Sequence, residues 1–277
     1  MAQTRIPRVA VILPTFNRAW CLAEAVESVL SQTYRDFELI VVDDGSSDGT
    51  AELLARYEGR LRAIRRENRG VSAARNAGVA ASRSPLLAFL DSDDLWLPGK
   101  LARQVAFFEA HPEAAICQTG EIWVRNGRRV NPGLRHRKPS GWIFEPSLEL
   151  CLVSPSAVMV RRSLFEEVGP FDESLPACED YDLWLRVSLR HPVFLLPEPA
   201  VVKRGGHPDQ LSRGWGLDRF RVRAIEKILR AGGLAPGQRA AALAVLQRKC
   251  RIYAAGCRKR GRVGEAEAYE RLAREFA

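Results

Sequence analysis

Residues 86–96 read L-L-A-F-L-D-S-D-D-L-W. The five apolar residues Leu86 to Leu90 have the length and continuity of a strand buried on both faces. Three carboxylates, Asp91, Asp93 and Asp94, then follow within four positions. Clustered carboxylates repel one another and are costly beside an apolar sheet unless something positive sits among them. A hard divalent cation with oxygen ligands meets that need. The plainer alternative is a strand that ends in the cap of a following helix, because Asp accepts hydrogen bonds from free backbone N–H groups there.

The same grammar recurs upstream. Arg8–Leu13 is a buried strand that runs into the loop P-T-F-N-R, and Leu22, Ala25, Val26, Val29 and Leu30 then fall at helical spacing over 19–31. Phe37–Val42 is a second strand ending in D-D-G-S-S-D-G-T, so it too delivers carboxylates, Asp43 and Asp44, to its carboxyl end. A helix over 50–57 follows, with Ser46, Ser47 and Asp48 placed to cap it, then a short strand over 61–65 and an Ala-rich helix over 71–81. The order βαβαβαβ with short connections predicts a parallel, right-handed, doubly wound sheet, in which ligands bind beyond the carboxyl ends of the strands.

Beyond this half the pattern predicts a helix over 99–109 and strands over 114–124, 153–160 and 193–196. A basic, turn-rich insertion spans 125–141, and reads equally as a lid over an acceptor or as a solvated excursion. A short helix begins near Arg161, and C-E-D-Y-D-L-W-L-R starts another with Glu179 and Asp180 at its N-terminal end. The helix dipole and free N–H groups favour carboxylates there in any case. A Gly-rich loop carrying His207 leads to helices over 217–230, 236–258 and 264–276, broken at Gly232-Gly233 and Gly261.

The 277 residues are 46% hydrophobic, enough to fill the core of one large α/β domain with a small appendage, and the net charge is +9. From Asp218 onward there are fifteen Lys and Arg against six Asp and Glu, leaving twenty-seven of each sign before it, so all the excess lies in the tail. No run approaches the ~18 apolar residues of a membrane span, and no apolar signal region precedes the first strand. The expectation is a cytoplasmic protein, with six reduced, structural cysteines and no C-x-x-C pair. Basic helices without a recognised reading motif point away from nucleic acid and toward solvent, a partner or an anionic membrane surface.

Five stretches in this order, V-I-L-P-T-F-N-R, V-V-D-D-G-S-S-D-G-T, N-R-G-V-S-A-A-R-N-A-G, F-L-D-S-D-D-L-W-L-P-G-K-L and C-E-D-Y-D-L-W-L-R, resemble the family 2 glycosyltransferases, inverting enzymes of the GT-A fold. The resemblance covers about 8–215. It implies an α/β, Rossmann-like, mostly parallel central sheet flanked by helices over 1–216, with a basic helical extension over 217–277. Pro14, Thr15, Phe16, Asn17 and Arg18 would lie along the nucleotide of a sugar donor, most simply a UDP-sugar, with Asp44 and Arg75 in the same pocket. Asp91 and Ser92 would face the ribose or sugar. Asp93 would hold magnesium or manganese against the diphosphate, and Asp180 would be the catalytic base. His207 resembles a late metal-ligating histidine in some such enzymes, or is a loop histidine packing locally. Glu179 and Trp184 would meet the acceptor, a glycan or lipid-linked glycan; Trp96 and Trp215 are further candidates for stacking on sugars, and a core role for Trp184 is the alternative. A metal-dependent nucleotidyltransferase is the rival class, but P-T-F-N-R lacks the basic, Gly-rich loop expected to hold a triphosphate. The released product separates the two: nucleoside diphosphate or pyrophosphate.

Overall fold

A computed structural model describes residues 5–207, 210 and 214–276. In chain order the elements are β1 (Val9–Thr15), α1 (Ala19–Leu30), β2 (Phe37–Asp43), α2 (Thr50–Ala55), β3 (Arg62–Arg65), α3 (Val71–Ala81), β4 (Leu86–Phe89), β5 (Leu95–Trp96) and α4 (Lys100–Ala110). There follow β6 (Ile116–Arg125), β7 (Arg128–Val130), α5 (Phe144–Glu149), β8 (Val158–Arg161), α6 (Ser163–Val168), α7 (Glu179–Ser188), β9 (Phe194–Gly205), α8 (Asp218–Ala231), α9 (Pro236–Arg258) and α10 (Val263–Glu275). The strands form one sheet in the order β3-β2-β1-β4-β8-β6-β9-β5, with β7 paired to β6.

The first half is the parallel unit that the pattern predicts. Thr15 pairs with Asp43 and Ile12 with Phe89, so the carboxyl ends of β1, β2 and β4 finish along one edge. The consecutive apolar residues of β1 divide by the two-residue period of a strand. Val9, Val11 and Leu13 enter the core on the α1 side, with Leu86, Ala88 and Leu90 of the β4 segment. Ala10 and Ile12 enter the opposite core with Leu87, Phe89 and the apolar face of α7. Double burial is why these runs show no polar alternation.

The second half departs from expectation in three places. β8 runs antiparallel to both β4 and β6, making the sheet mixed. Of the strand expected over 153–160, only the end is extended; Pro155–Ala157 is a 3-10 turn. The strand expected to stop at Leu196 continues to Gly205 alongside β6, despite Pro197 and Pro199. A bulge accommodates them: the β6–β9 register shifts on both sides of Gly120, where a Cβ atom would sit 2.4 Å from the Pro197 carbonyl oxygen. The basic insertion is also more ordered than its turns suggest, containing β7 and a 3-10 turn at Leu134–His136, with α5 just beyond it.

The tail helices are not a loose appendage. Val222, Ile225, Ile228 and Leu229 of α8 and Leu246 and Cys250 of α9 close a third core against Phe144 and Leu148 of α5 and Tyr181 and Leu185 of α7. Helix α7 therefore buries one side against the sheet and the other against the tail. Among the described residues seven of the fifteen tail cations, Arg221, Lys227, Arg230, Arg248, Lys249, Arg258 and Arg262, are in ion pairs, but only Lys227 and Arg248 meet carboxylates from outside the tail, so most of its charge excess remains. None of the six cysteines is in a disulfide.

Two residues permit sharp tests. Gly78 packs α3 onto β1 so closely that an added Cβ would lie 2.4 Å from Cγ2 of the fully buried Ile12; Gly78→Ala should lower stability by about 1–3 kcal/mol in urea unfolding. Lys100 is buried without a carboxylate partner, its ammonium donating to Gln104 at 2.6 Å and lying 4.0 Å from the Trp96 ring centroid. Burial pushes its pKa down to about 7. A depressed lysine pKa means the unfolded chain holds the extra proton above that value, so stability should rise with pH from about 7 to 8.5, by at most ~1.4 kcal/mol per unit, below the range where cysteines ionise. Lys100→Met should remove that rise.

Candidate functional site

A cleft of about 1000 Å³ opens at the carboxyl edge of the sheet and continues between the insertion, the start of α7 and the start of α8. It gathers Pro14, Thr15, Phe16, Asn17, Arg18, Asp44, Arg75, Asp91, Ser92, Asp93, Glu179 and Asp180. Residues that are up to 166 positions apart thus meet because three strands end together and α7 returns over them.

The P-T-F-N-R loop turns at Asn17, which has a left-handed φ of 52°. Its backbone N–H donates to Ser46 Oγ at 2.8 Å, and its side-chain carbonyl accepts from Ser47 N–H at 2.8 Å. This pins the β1 loop to the β2 loop and leaves Phe16 45% exposed on the cleft wall. The capping expected of Asp48 is shared: one carboxylate oxygen accepts from Ala19 N–H at the start of α1, the other from Thr50 N–H and Oγ1 at the start of α2. Asp44 is buried; its Oδ2 accepts from the N–H groups of Arg69 and Gly70 at 3.1 and 2.7 Å, and Arg66 faces its Oδ1 at 3.2 Å. It therefore shapes the turn into α3 as well as the floor of the cleft.

Arg75 joins the two sides of the site. Its guanidinium donates to Asp91 at 2.7 Å and to Glu179 at 2.6 Å, and it lies over Phe171 with 5.2 Å to the ring centroid. The two carboxylates raise its pKa against the cost of burial. Burial pushes the Glu179 carboxyl up, opposed by Arg75. Glu179 is thus buried and paired with Arg75.

The three carboxylates after β4 have separate fates. Asp91 holds Arg75. Asp93 Oδ2 lies 2.7 Å from His207 Nε2, and Arg18 Nη1 lies 3.3 Å from His207 Nδ1. A guanidinium can only donate, so Nδ1 accepts and Nε2–H donates to Asp93. Burial and Asp91 push the Asp93 carboxyl up, opposed by Arg18 and His207. Asp94 does not cap a helix: α4 begins only at Lys100. It is buried, accepting from Ser156 Oγ at 2.6 Å and Arg204 N–H at 2.8 Å, which ties β9 to the turn before β8.

Asp93 and His207 suit magnesium or manganese: a carboxylate oxygen and an imidazole nitrogen already meet, and such ions take further oxygen ligands from phosphate and water. Among the described residues no group of three or more His, Cys, Asp or Glu side chains forms an all-protein cage. Loading His207 through Nε2 requires its proton to move to Nδ1, so the contact with Arg18 would have to open. The neighbouring loop positions 208, 209 and 211–213 lie outside the described residues.

Asp180 differs from the other cleft carboxylates. Its Oδ1 accepts from Tyr181 N–H at 2.7 Å, and its Oδ2 lies 3.5 Å from the Cys151 thiol. Burial first, and then Asp180, holds that thiol protonated, well above its usual pKa. Among the described residues no Lys, Arg or His nitrogen comes within 4.0 Å of Asp180. The helix it opens begins at Cys178, whose φ of 61° is left-handed.

The tryptophans expected to stack on sugars lie elsewhere. Trp184 is in the core, 2% exposed and edge-on to Phe171, because the apolar face of α7 points at the sheet. Trp96 is buried and donates to the Ser156 carbonyl, and Trp215 stacks on Tyr253. The tryptophan that does line the cleft is Trp123, with Lys203, Lys138 and Arg221. None of these stood out in the sequence, since Lys203 follows a strand that the prolines conceal and Trp123 lies near the far end of β6.

Comparison with known proteins agrees with this geometry. Residues 10–169 match the family described as Glycosyl transferase family 2. An uncharacterized glycosyltransferase of Rickettsia felis is 32% identical over 188 residues, which is 67% of this chain; the chain spans 31% of that relative's length. An Escherichia coli enzyme, the UDP-Glc:alpha-D-GlcNAc-diphosphoundecaprenol beta-1,3-glucosyltransferase WfgD, is 30% identical over 181 residues, 65% of this chain and 69% of the enzyme. The mannosyltransferase PcManGT of Pyrobaculum calidifontis, solved with GDP-Man and Mn2+, superposes with a TM-score of 0.65 at 20% identity, over 99% of this chain and 77% of that one. The mixed, helix-flanked sheet is the GT-A fold of such structures, and with the match covering more than half of its length the chain belongs to glycosyl transferase family 2.

Proposed function

We propose that the protein transfers a sugar from a UDP-linked donor to a hydroxyl of a glycan or lipid-linked acceptor, with inversion and with the aid of a divalent cation. The observation that carries this reading is the isolation of Asp180. Other cleft carboxylates are committed: Asp91 and Glu179 to Arg75, Asp93 to His207, Asp94 to Ser156 and Arg204, Glu121 to Lys138 at 3.0 Å. Among the described residues Asp180 hydrogen-bonds a backbone N–H and a thiol and makes no ion pair, and so keeps lone pairs for a proton.

In this reading the P-T-F-N-R loop, Asp44 and the Arg75–Asp91 pair bind the nucleotide and its sugar. Asp93 and His207 would hold magnesium or manganese, which when bound supplies positive charge against the diphosphate oxygens. Asp180 takes the proton of the acceptor hydroxyl, whose oxygen forms a bond to the anomeric carbon from the face opposite the leaving group. The bond from that carbon to the diphosphate oxygen breaks, its electron pair leaves with the nucleoside diphosphate, and the configuration inverts. The UDP choice is supported by the donor named for WfgD, and the cation by the Mn2+ with PcManGT.

No helix among the described residues is long and apolar enough to cross a membrane.

Two variants test the assignment. Asp180→Asn should lower nucleoside diphosphate release by about 100- to 10,000-fold while leaving nucleotide-sugar binding intact; near-normal turnover would remove Asp180 as the base. Asp93→Ala should abolish metal-dependent thermal stabilisation by the donor. Release of pyrophosphate in place of nucleoside diphosphate would overturn sugar transfer itself.

A further inference from the structure

The far half of the cleft carries charge that the donor does not need. Trp123 is its centre: Lys203 Nζ and the Arg125 guanidinium carbon each lie 5.8 Å from its ring centroid, and the His136 ring centroid lies 5.2 Å away. Arg135 Nε donates to His136 Nε2 at 3.1 Å, which leaves Nδ1–H of the neutral ring as a donor. Four elements contribute: β6 carries Trp123 and Arg125, β9 carries Lys203, the insertion carries Arg135 and His136, and Ser154 comes from the loop before the 3-10 turn.

None of these three cations makes a direct ion pair among the described residues. The nearby Glu121 accepts from Trp123 Nε1 at 3.0 Å and from Lys138 at 3.0 Å, and so is taken. Among the described residues no carboxylate oxygen lies within 4.0 Å of Lys203, Arg125 or Arg135; Lys203 donates only to Ser154 Oγ at 3.3 Å. Arg125 and Arg135 stand exposed at the mouth, where water solvates them cheaply, but Lys203 lies inside. Burial penalises an ammonium there, but the surrounding carboxylates, Glu121 first and then Asp94, Asp91 and Asp180, outweigh that cost and hold the Lys203 pKa above its usual value. His136 is pushed toward its neutral form by burial and then by Arg135, Arg125 and Lys203, an independent sign that the three positive charges converge.

We infer that the acceptor carries a phosphate ester close to the hydroxyl that is glycosylated, and that this anion seats between Lys203, Arg125 and Arg135 beside Trp123. The inference rests on the sugar-transfer reading and adds the class of acceptor. The two exposed guanidinium forks and His136 Nδ1–H supply donors with the Lys203 ammonium behind them, and the indole face covers the adjoining sugar or alkyl carbons. A lipid-linked diphosphate headgroup and a phosphodiester-bridged polymer both present this chemistry. Asp180 then faces the acceptor from the start of α7, while the phosphate fixes which hydroxyl comes within its reach.

The test uses the full chain saturated with UDP and Mg2+, titrated by calorimetry with P1,P2-dimethyl diphosphate, a dianion, and with dimethyl phosphate, a monoanion. Binding of either in the presence of UDP, weakened about tenfold or more in Lys203→Met and in the exposed pair Arg125→Gln with Arg135→Gln, is expected. Preference for the dianion favours a diphosphate headgroup, and preference for the monoanion a phosphodiester polymer; either supports the site. The exposed pair guards against a Lys203 variant that fails to fold. Loss of phosphate binding when UDP is added would assign the cations to the donor's own diphosphate and overturn the proposal, as would equal binding by wild type and both variants. Failure of UDP to bind at all would instead strike the sugar-transfer reading on which the proposal depends.

Discussion

The buried guanidinium of Arg75 is the constraint on which the site depends. It leaves the middle of α3, bonds Asp91 just beyond β4 and bonds Glu179 at the start of α7, with its own side chain only 4% exposed. Two carboxylates facing each other beside an apolar sheet would repel; Arg75 between them offsets that repulsion, and removing Arg75 leaves the buried Glu179 without a partner, typically a loss of about 3–5 kcal/mol. The bridge therefore does more than add stability. It sets the first half of the chain, which ends its strands at the cleft, against the helix that presents Asp180.

From that arrangement the division of labour among the carboxylates follows. Ion pairing, backbone capping and burial each remove a carboxylate from the set that can handle a proton, and Asp180 is what remains. Its helix is held from both sides, since Leu183, Trp184 and Val187 pack on the sheet while Tyr181 and Leu185 pack on the tail. Tyr181 also donates its hydroxyl to the Leu148 carbonyl at 2.6 Å. The tail thus supports the wall of the cleft that carries Asp180, a structural use for helices whose charge alone had pointed to a membrane or a partner.

The cleft has two electrostatic halves. Carboxylates dominate at the ends of β1, β2 and β4, where Arg18 and His207 stand among them, and cations dominate where β6, β9 and the insertion meet. An enzyme that brings a nucleotide-linked sugar to a second substrate needs two such distinct environments, because identical ones would bind either substrate in either place.

The sequence by itself determined the parallel half of the sheet. Unbroken apolar runs report burial on both faces, and acidic or turn-forming residues at their ends report where the strands stop, so Asp44, Asp91, Asp93 and the P-T-F-N-R loop could be placed at one edge. Helix starts were equally legible, and Asp180 could be put on one. What the sequence left undecided is whatever depends on a partner far along the chain. A residue's own neighbours do not say that Arg75 takes Glu179, that Trp184 faces inward, or that Asp94 is locked by Ser156 and Arg204. Nor does local pattern show that a strand with two prolines continues past them, because the bulge that allows it lies at Gly120 on β6. Periodicity records how each segment meets its surroundings on average; which groups pair, and which carboxylate is left unpaired, only the tertiary structure decides.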